Sequence, residues 1–348
     1  MIIRKAEIIE KINNYAHRGI PFLFAVDFNA NKGFVLDQEA INRTGILYNF
    51  NGNSNAGSVE KTKIPGIKVQ PVEYTVYKKA FDKVMSHLKH GNTYLINLTF
   101  PTRIWINIDP PDLFRASGAP YKLYVPGQFL VFSPESFVRI TGNRIYSHPM
   151  KGTIQTSIPG SREILLADQK ELYEHNTIVD LIRNDLSMVS TNVRVTRFRY
   201  LELIKTNRDD LWQMSSEICG TLSKDYRANL GDIIFRLLPA GSVTGAPKEK
   251  TVHVIRESEI YQRGFYSGIF GFFNEKGLQS AVAIRYIELN REKITKIQKT
   301  PGMWENNLTD KNPRLPVLIY KSGGGITALS KVENEYDEML KKVYVPLI

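Results

Sequence analysis

Two adjoining features near the C-terminus have residue types and spacing that suit chemistry. Glu335 and Glu338 lie three residues apart in a helical pattern, so their carboxylates share a face, and Lys342 follows one turn later. Paired carboxylates suit a hard divalent ion such as Mg²⁺. Just before them come the three glycines Gly323–Gly325, whose backbone can approach a ligand closely and present N–H groups to an anion. The alternative is a flexible turn followed by a solvated, charge-paired helix.

A second segment carries charge where a core helix would be apolar. Residues 168–187 have apolar residues at helical spacing, yet Glu174, Asp180, Arg183 and Asp185 are interleaved with them. Buried charges need partners. The pattern is therefore typical either of an amphipathic helix with internal ion pairs or of a helix that carries a functional site.

Three further positions have neighbouring residues that suggest a nucleophile or a site for an anion. Lys151 stands just before a glycine, and a lysine in a water-excluded site can lose its proton and become a nucleophile. Residues 241–248 precede a predicted helix and offer hydroxyls at Ser242 and Thr244 to an anion. Arg285 lies in an apolar strand, where a guanidinium calls for a carboxylate from the protein or from a ligand. The plainer alternatives are a surface lysine in a turn and an ordinary loop.

Composition narrows the class of protein. The chain has 348 residues, of which 42% are hydrophobic and 23% charged, as in globular proteins that bury a full core. No apolar run approaches the roughly 20 residues that span a bilayer, and the N-terminus does not have the pattern of a signal peptide, so no membrane partner is expected. Cys219 has no second cysteine to pair with, which fits a reducing compartment and predicts a cytoplasmic location.

The charge balance indicates an anionic partner. Lysine and arginine number 46 against 35 acidic residues, a net charge of +11, which suits nucleic acid, an acidic surface or a small polyanionic substrate. The best evidence for nucleic acid is the basic and aromatic run over residues 194–200. No fold signature of a nucleic-acid-binding module accompanies it, so no nucleic-acid partner is expected.

The periodicities predict an α+β protein. The predicted helices cover residues 4–18, 73–89, 168–187, 230–238, 248–260 and 331–343. Predicted strands include residues 22–28, 45–50, 94–100, 128–132 and 137–140. Helices and strands do not alternate regularly, which favours large antiparallel sheets over a doubly wound parallel sheet.

Taken in order, these segments resemble the chorismate-utilising enzymes: anthranilate synthase component I, aminodeoxychorismate synthase component I, and the isochorismate and salicylate synthases. The match runs from about Gly91 to the C-terminus, and the first 90 residues match only loosely. Each landmark is weak alone, but eight in the right order are specific. The landmarks are Ser133-Pro-Glu, Pro149-Met-Lys-Gly-Thr, Glu174-His through Asp180-Leu-Ile-Arg-Asn-Asp-Leu, Gly241-Ser-Val-Thr-Gly-Ala-Pro-Lys, Tyr266-Ser-Gly-Ile-Phe-Gly-Phe, Ala283-Ile-Arg, Gly323-Gly-Gly-Ile and Glu335-x-x-Glu-x-x-x-Lys.

The resemblance implies a fold and a set of roles. It implies one synthase domain over residues 1–348, with the core motifs in 91–348, built as two facing antiparallel sheets in a β-sandwich core with peripheral helices. The implied Mg²⁺ ligands are Glu174, Glu335 and Glu338. The implied substrate-binding residues, which would hold the carboxylates of chorismate, are Ser242, Thr244, Tyr266, Arg285, Gly323, Gly324, Gly325 and Lys342.

Lys151 distinguishes among the members of the family. Anthranilate and isochorismate enzymes usually carry alanine at this position, and the aminodeoxychorismate type carries lysine. Glu135, 16 residues earlier, matches the family's general acid. The resemblance therefore implies that Lys151 attacks ring C2 while Glu135 protonates the departing C4 hydroxyl, after which ammonia attacks C4 and expels the lysine. The product would be 4-amino-4-deoxychorismate, on the route to para-aminobenzoate and folate; the alternatives are anthranilate synthase component I and isochorismate synthase.

The implied substrates are chorismate and ammonia. Cys219 lacks the context of a glutaminase nucleophile, so a separate glutamine amidotransferase subunit is expected to supply the ammonia. Two positions depart from the family pattern: Gln213 stands where a histidine is usual, and Leu95 where a glutamine is common. A neutral amide can donate a hydrogen bond but cannot carry charge.

Overall fold

Two antiparallel sheets organise the chain, one in each of two units, in a computed structural model that describes residues 1–57, 66–204, 210–304 and 315–346. Unit 1 consists of Met1–Thr44, Pro134–Ser242 and Ser267–Ala283. Unit 2 consists of Gly45–Ser133, Val243–Tyr266 and Ile284–Ile348. The predicted α+β class with antiparallel sheets is confirmed. The single synthase domain over residues 1–348 stays a prediction.

The helices of the described ranges are mostly short. They are α1 (Lys5–His17), α2 (Gln38–Thr44), α3 (Tyr74–Lys89), α4 (Pro110–Ala116), α5 (Ser161–Ala167), α6 (Gln169–Ser187), α7 (Leu230–Leu237), α8 (Lys248–Ser258), α9 (Arg291–Gln298) and α10 (Val332–Lys341). The six predicted helices correspond to α1, α3, α6, α7, α8 and α10. None of the helices in these ranges is long and apolar enough to cross a membrane.

The strands are named in chain order. They are β1 (Ile3–Arg4), β2 (Phe22–Val26), β3 (Lys32–Asp37), β4 (Leu47–Phe50), β5 (Asn53–Ser54), β6 (Lys68–Gln70), β7 (Leu95–Trp105), β8 (Tyr121–Val125), β9 (Phe129–Ser133), β10 (Ser136–Thr141), β11 (Arg144–Ser147), β12 (Met150–Gln155), β13 (Thr191–Ile204), β14 (Leu211–Thr221), β15 (Gly245–Ala246), β16 (Ile269–Asn274), β17 (Gly277–Val282), β18 (Tyr286–Glu288) and β19 (Leu318–Ile326).

Unit 1 is a ten-stranded sheet with the order β1-β3-β2-β16-β17-β10-β11-β14-β12, and β13 pairs with β14. Its interior strand β2 is buried along its whole length, which explains the continuous apolar run of Phe22–Val26. Phe22 stacks on Phe273 of β16 with ring centroids 5.2 Å apart. Strand β12 at the end of this order carries Lys151.

Unit 2 is a nine-stranded sheet with the order β15-β7-β19-β18-β9-β8-β4-β5, and β6 pairs with β7. Its core includes the fully buried Ile104, Leu130, Ile287 and Tyr320. The glycine run lies inside the sheet, because Gly323 of β19 pairs with Thr99 of β7. A side chain on Gly323 would collide with the carbonyl oxygen of Leu98 and with Thr99, so glycine is required by the close approach of the two strands.

Unit 2 also buries a lysine beneath its sheet. Lys122 of β8 is 8% exposed, and its ammonium group donates to the carbonyl oxygens of Phe114 and Ser117 at 2.9 and 2.6 Å. Burial lowers the pKa of Lys122 to about 8, from an ordinary value of 10.5. The pKa of Lys122 is lower in the folded protein than in the unfolded chain, so folding disfavours the ammonium form. The resulting loss of folding free energy is fully present below about pH 8. It decreases as the pH rises from about 8 toward 10.5, the ordinary pKa of the side chain.

We expect the wild-type protein to gain stability relative to Lys122→Met as the pH rises from about 8 to about 10.5. The gain should be about 3 kcal/mol in the free energy of unfolding, from the difference between the folded and unfolded pKa. Urea unfolding of both proteins across this range measures it. Lys79→Met, which replaces an exposed lysine of α3, is the control and should follow the wild-type pH profile. Parallel stability profiles for wild type and Lys122→Met would contradict the lowered pKa of Lys122.

Candidate active site

The predicted nucleophile lies beside a predicted metal ligand in unit 1. Lys151 pairs with Met214 across β12 and β14, and its Nζ lies 3.5 Å from Oε2 of Glu174 on α6. The side chain of Lys151 is 20% exposed and that of Glu174 is 6% exposed. Gly152, next to Lys151, has φ +75°, and a side chain there would press on Leu165.

Helix α6 is fixed at its start and in its middle, which holds Glu174 in place. Asp168 caps the helix by accepting a hydrogen bond from the Glu171 N–H at 2.9 Å. The fully buried His175, next to Glu174, shares a 2.7 Å hydrogen bond between its Nε2 and the Ser216 hydroxyl of β14. Burial lowers the pKa of His175 to about 4, helped by the charges of Arg199 and Lys151. His175 is therefore a neutral hydrogen-bonding group at neutral pH.

Glu135 is held by Ser242, a residue that the sequence analysis assigned to substrate binding. The Ser242 hydroxyl donates a hydrogen bond to Oε1 of Glu135. The backbone carbonyl of Glu135 accepts from the Val282 N–H at 3.1 Å, which ties this residue to β17. Ser242 is thus placed to orient the carboxyl group of Glu135, and its substrate-binding role stays a prediction.

Two carboxylates and a lysine converge on Gly324 in unit 2. A methyl group on Gly324 would lie 3.5 Å from Oε1 of Glu338, 3.6 Å from Oε2 of Glu335 and 3.8 Å from Nζ of Lys342. The side-chain cluster predicted from the spacing on α10 is therefore assembled against the glycine strand β19. We call Gly324, Glu335, Glu338 and Lys342 the carboxylate cradle.

Each charged member of the carboxylate cradle is held in place. Glu335 is 1% exposed, and its Oε1 accepts from the Ser330 hydroxyl at 2.7 Å. Lys342 donates to Oε1 of Glu338 at 2.6 Å and to the carbonyl oxygen of Gly323 at 3.0 Å. Carboxylate oxygens in this number and position suit a hard divalent cation that keeps several water ligands.

Tyr77 of α3 is a neighbour of the cradle that sequence reasoning missed. It is 1% exposed, packs against Tyr336 with ring centroids 5.2 Å apart, and its hydroxyl has no hydrogen-bond partner in the described ranges. Burial, followed by the charges of Glu335 and Glu338, raises the pKa of Tyr77 above its ordinary value. The only signal in the sequence was its place on the apolar face of a predicted helix, which is equally typical of a core residue.

Arg285 has the features of a residue positioned for an anion. Its φ of +54° is in the left-handed region, which is costly for a residue other than glycine. Its Nε is buried without an acceptor, and within the described residues no carboxylate forms an ion pair with it. The guanidinium instead lies over the ring of Tyr344, 5.0 Å from the centroid. Tyr266, its predicted companion, packs edge-on against Tyr286 at 5.9 Å.

The remaining predicted positions have structural contacts. Thr244 of unit 2 is fully buried, and its carbonyl oxygen accepts from the Asn97 N–H at 2.9 Å. Gly325 pairs with Asn97 in the ladder between β19 and β7. Gln213, where the family usually has histidine, pairs with Thr153 of β12 within the sheet of unit 1. Substrate-binding roles for Thr244 and Gly325 stay predictions.

Comparison with known proteins places this arrangement in a family. The family model for chorismate binding enzymes matches residues 36–347. A PabA-like protein from Haemophilus influenzae is 42% identical over 340 residues, which cover 97% of this chain and 96% of that protein. Aminodeoxychorismate synthase component 1 from Bacillus subtilis is 27% identical over 299 residues, 82% of this chain and 57% of that protein.

An anthranilate synthase alpha subunit from rice (Oryza sativa subsp. indica) is 30% identical over 286 residues, 76% of this chain and 47% of that protein. Among solved structures, an isochorismate synthase from Bacillus anthracis has a TM-score of 0.69 at 19% identity, covering 98% of this chain and 89% of that one. Anthranilate synthase component I from Streptococcus pneumoniae has a TM-score of 0.63 at 24% identity, covering 82% and 60%. These structural likenesses show the fold. The chain belongs to the family of chorismate-binding enzymes and is an enzyme that acts on chorismate.

Proposed function

We propose that this enzyme is an aminodeoxychorismate synthase component I, which converts chorismate and ammonia into 4-amino-4-deoxychorismate. The observation that carries the proposal is the lysine at position 151, whose ammonium group lies 3.5 Å from Glu174 at 20% exposure. This partly buried lysine, at the position where the aminodeoxychorismate type carries one, supports the proposed covalent route. The similarity to the Bacillus subtilis aminodeoxychorismate synthase component 1 supports the same activity.

The proposed reaction consists of two allylic displacements. The neutral Lys151 amine forms a bond to ring C2, the ring double bond shifts, and the C4 hydroxyl leaves as water with the proton of Glu135. Ammonia then bonds to C4, the double bond shifts back, and the C2–N bond breaks with its electron pair returning to Lys151. The enolpyruvyl group is retained. The hydrogen bond from Ser242 to Oε1 of Glu135 fixes that carboxyl group for its proton transfer.

The carboxylate cradle is the proposed site of Mg²⁺. Glu335 and Glu338 offer carboxylate oxygens on one side of Gly324, and the absence of a side chain there leaves room for the ion. No group of three or more histidine, cysteine, aspartate or glutamate side chains that could hold a metal occurs in the described part of the chain. The carboxylates of Glu335 and Glu338 with several waters nevertheless suit Mg²⁺, and the role of Glu174 as a further ligand stays a prediction. Bound there, Mg²⁺ would offset the negative charge of a substrate carboxylate.

Glu174 has two proposed roles that exclude each other at any one moment. As the partner of Lys151 its carboxylate lies 3.5 Å from Nζ of the lysine. As a metal ligand it would leave Lys151 without this partner and release the amine for attack on the substrate. We infer that exchange of Glu174 between these roles activates the nucleophile.

Anthranilate synthase component I is the second candidate, favoured by the 30% identity to the rice alpha subunit. That reaction also uses ammonia but eliminates pyruvate. In the basic run of β13, two arginines have partners within the chain. Arg197 lies 3.7 Å from the ring centroid of Tyr200, and the Arg199 guanidinium donates to the carbonyl oxygen of Leu166 at 2.5 Å.

Product identification tests the proposed function directly. The purified chain is incubated with chorismate, Mg²⁺ and ammonium, and the products are separated and weighed by mass spectrometry. The expected product retains the enolpyruvyl group and yields 4-aminobenzoate only after a lyase is added. Direct release of fluorescent anthranilate would favour the second candidate. Glutamine alone should not replace ammonium until a separate amidotransferase subunit is added, since Cys219 has no glutaminase context.

Lys151→Ala should lower the rate of 4-amino-4-deoxychorismate formation by about 10²-fold or more, because the covalent nucleophile is lost. Chorismate binding should survive. Wild type incubated with chorismate and no ammonia should show a mass increase on the peptide that contains Lys151. Lys224→Ala, at an exposed turn of unit 1, is the matched control and should keep full activity. Near-normal turnover by Lys151→Ala without any adduct in wild type would exclude the covalent route.

Gly324→Ala should separate cation binding from folding. Its methyl group meets the cradle at ordinary contact distances of 3.5–3.8 Å, so the melting temperature should change little. The same methyl group occupies the space between the carboxylates, and the Mg²⁺ concentration for half-maximal activity should rise about tenfold, or about 1.4 kcal/mol. Gly323→Ala is the contrasting variant and should lower the melting temperature, because its methyl group collides with backbone. Unchanged Mg²⁺ dependence in Gly324→Ala would place the cation elsewhere.

A further inference from the structure

Tyr77 and Ser322 of unit 2 carry buried hydroxyl groups that none of the described residues satisfies. Tyr77 of α3 is 1% exposed, and Ser322 of β19 is 2% exposed. Neither hydroxyl has a hydrogen-bond partner within the described ranges. A hydroxyl group that loses water on burial and gains no protein partner destabilises the fold. Such a group calls for an explanation, and a bound water or ion is one.

Ser322 lies on the same face of the sheet as the carboxylate cradle. Side chains alternate along a strand, so a side chain at Gly324 and that of Ser322 point to the same side of β19. A side chain at Gly324 would meet Glu335, Glu338 and Lys342. Two residues of a strand span about 7 Å. The Ser322 hydroxyl is therefore a close neighbour of the cradle on its own side of the sheet.

Tyr77 approaches the same place from helix α3. The centroid of its ring lies 5.3 Å from that of Phe100, which pairs with Ser322 across β7 and β19 and so shares its face of the sheet. Its ring also lies 5.2 Å from that of Tyr336 on α10, the residue next to Glu335. Burial, followed by the charges of the two cradle carboxylates, raises the pKa of Tyr77. The hydroxyl is therefore within electrostatic reach of both carboxylates.

A hydrated cation matches the chemistry of these positions. Mg²⁺ binds oxygen ligands at about 2.0–2.1 Å and keeps several of its waters. A hydrogen bond from such a water adds about 2.8 Å, so the groups that hold the waters lie roughly 5 Å from the ion. Tyrosine and serine hydroxyls are neutral at pH 7 and offer lone pairs to a water that donates. The carboxylates can thus supply the charge while the hydroxyls orient the waters.

We propose that Tyr77 is a positioning residue of the cation site: its hydroxyl, together with that of Ser322, accepts hydrogen bonds from water ligands of the ion in the carboxylate cradle. The inference rests on the proposed function, in which Mg²⁺ binds the cradle. The two hydroxyls make no direct bond to the ion and take no part in the covalent steps. They lower the stability of the cation-free protein, and binding of the hydrated ion removes this penalty.

Tyr77→Phe tests the proposal through two effects of opposite sign. The cation-free variant should melt about 2 °C higher than cation-free wild type, because an unsatisfied hydroxyl is removed and no hydrogen bond is lost. Its dissociation constant for Mn²⁺, which takes the same oxygen ligands as Mg²⁺, should be about tenfold higher than that of wild type. Titration followed by electron paramagnetic resonance, without chorismate, measures this constant. Ser322→Ala should weaken Mn²⁺ binding in the same direction.

Tyr74→Phe is the matched control for the loss of a tyrosine hydroxyl. Tyr74 lies on the same helix as Tyr77, and its ring packs on the same Tyr336 with centroids 5.3 Å apart. Its hydroxyl, however, donates to Oε1 of Glu333 at 3.1 Å, and Glu333 is not a member of the cradle. The Mn²⁺ dissociation constant of this variant should equal that of wild type.

Thr102→Val is the control for the removal of an unsatisfied hydroxyl. Thr102 is fully buried, and its hydroxyl also has no partner in the described ranges. It pairs with Tyr320, four residues from Gly324 along β19, which is about 13 Å of strand. This variant should melt higher than wild type, as Tyr77→Phe should, but its Mn²⁺ affinity should not change.

Failure of the inference and failure of the proposed function give different results. If Tyr77→Phe binds Mn²⁺ as tightly as wild type, or melts lower when cation-free, the positioning role is overturned even where wild type makes 4-amino-4-deoxychorismate. If wild type releases anthranilate, the proposed function is wrong, and a loss of Mn²⁺ affinity in Tyr77→Phe still supports the positioning role. If wild type binds no Mn²⁺, or Glu338→Gln binds it as tightly as wild type, the cation site and this inference are both overturned.

Discussion

The ion pair between Lys151 and Glu174 sets the central constraint on unit 1. Nζ of Lys151 lies 3.5 Å from Oε2 of Glu174, and the proposed covalent route requires the lysine to leave this partner before it can attack the substrate. The neutral His175 anchors α6 to β14 through Ser216, which holds the backbone beside Glu174 in place. In the proposed mechanism this one carboxylate would serve first the lysine and then the metal ion.

Space is provided by glycine in both units. At Gly324 the missing side chain opens the region between two carboxylates and a lysine, and at Gly241 it allows a turn to lie on α6 next to Asp185. Gly323 differs from these two, since it is required by strand packing alone. The glycine-rich motifs in the sequence therefore combine positions that make room for neighbouring side chains with positions that allow two backbones to approach. Only the neighbours of each α-carbon distinguish the two kinds.

Local patterns in the sequence were sufficient for the long helices and for the carboxylate pair. Apolar spacing predicted residues 73–89 and 168–187, close to Tyr74–Lys89 and Gln169–Ser187, and the three-residue spacing of Glu335 and Glu338 brought them together. The short helices α2, α4, α5 and α9 were missed because they complete too few turns to show a period, whereas α7, also short, was predicted.

Contacts between residues that are far apart in the sequence could not be predicted either. The place of Lys151 in β12 was not predicted, and the hydrogen bond from Ser242 to Glu135 spans 107 residues.

Buried charge in unit 2 shows how the glycine strand is kept in register. Lys321, directly before Ser322 and the three glycines, is 1% exposed and pairs with Glu288 of β18 at 3.0 Å. Such a pair costs desolvation energy on both sides and contributes little net stability, but either partner left alone would be strongly destabilising. A shift of β19 by one residue would turn Lys321 to the other face of the sheet, and both charges would then lack a partner. The pair therefore fixes which glycine faces Glu335 and Glu338, so the cradle depends on this register as well as on the helix that carries its carboxylates.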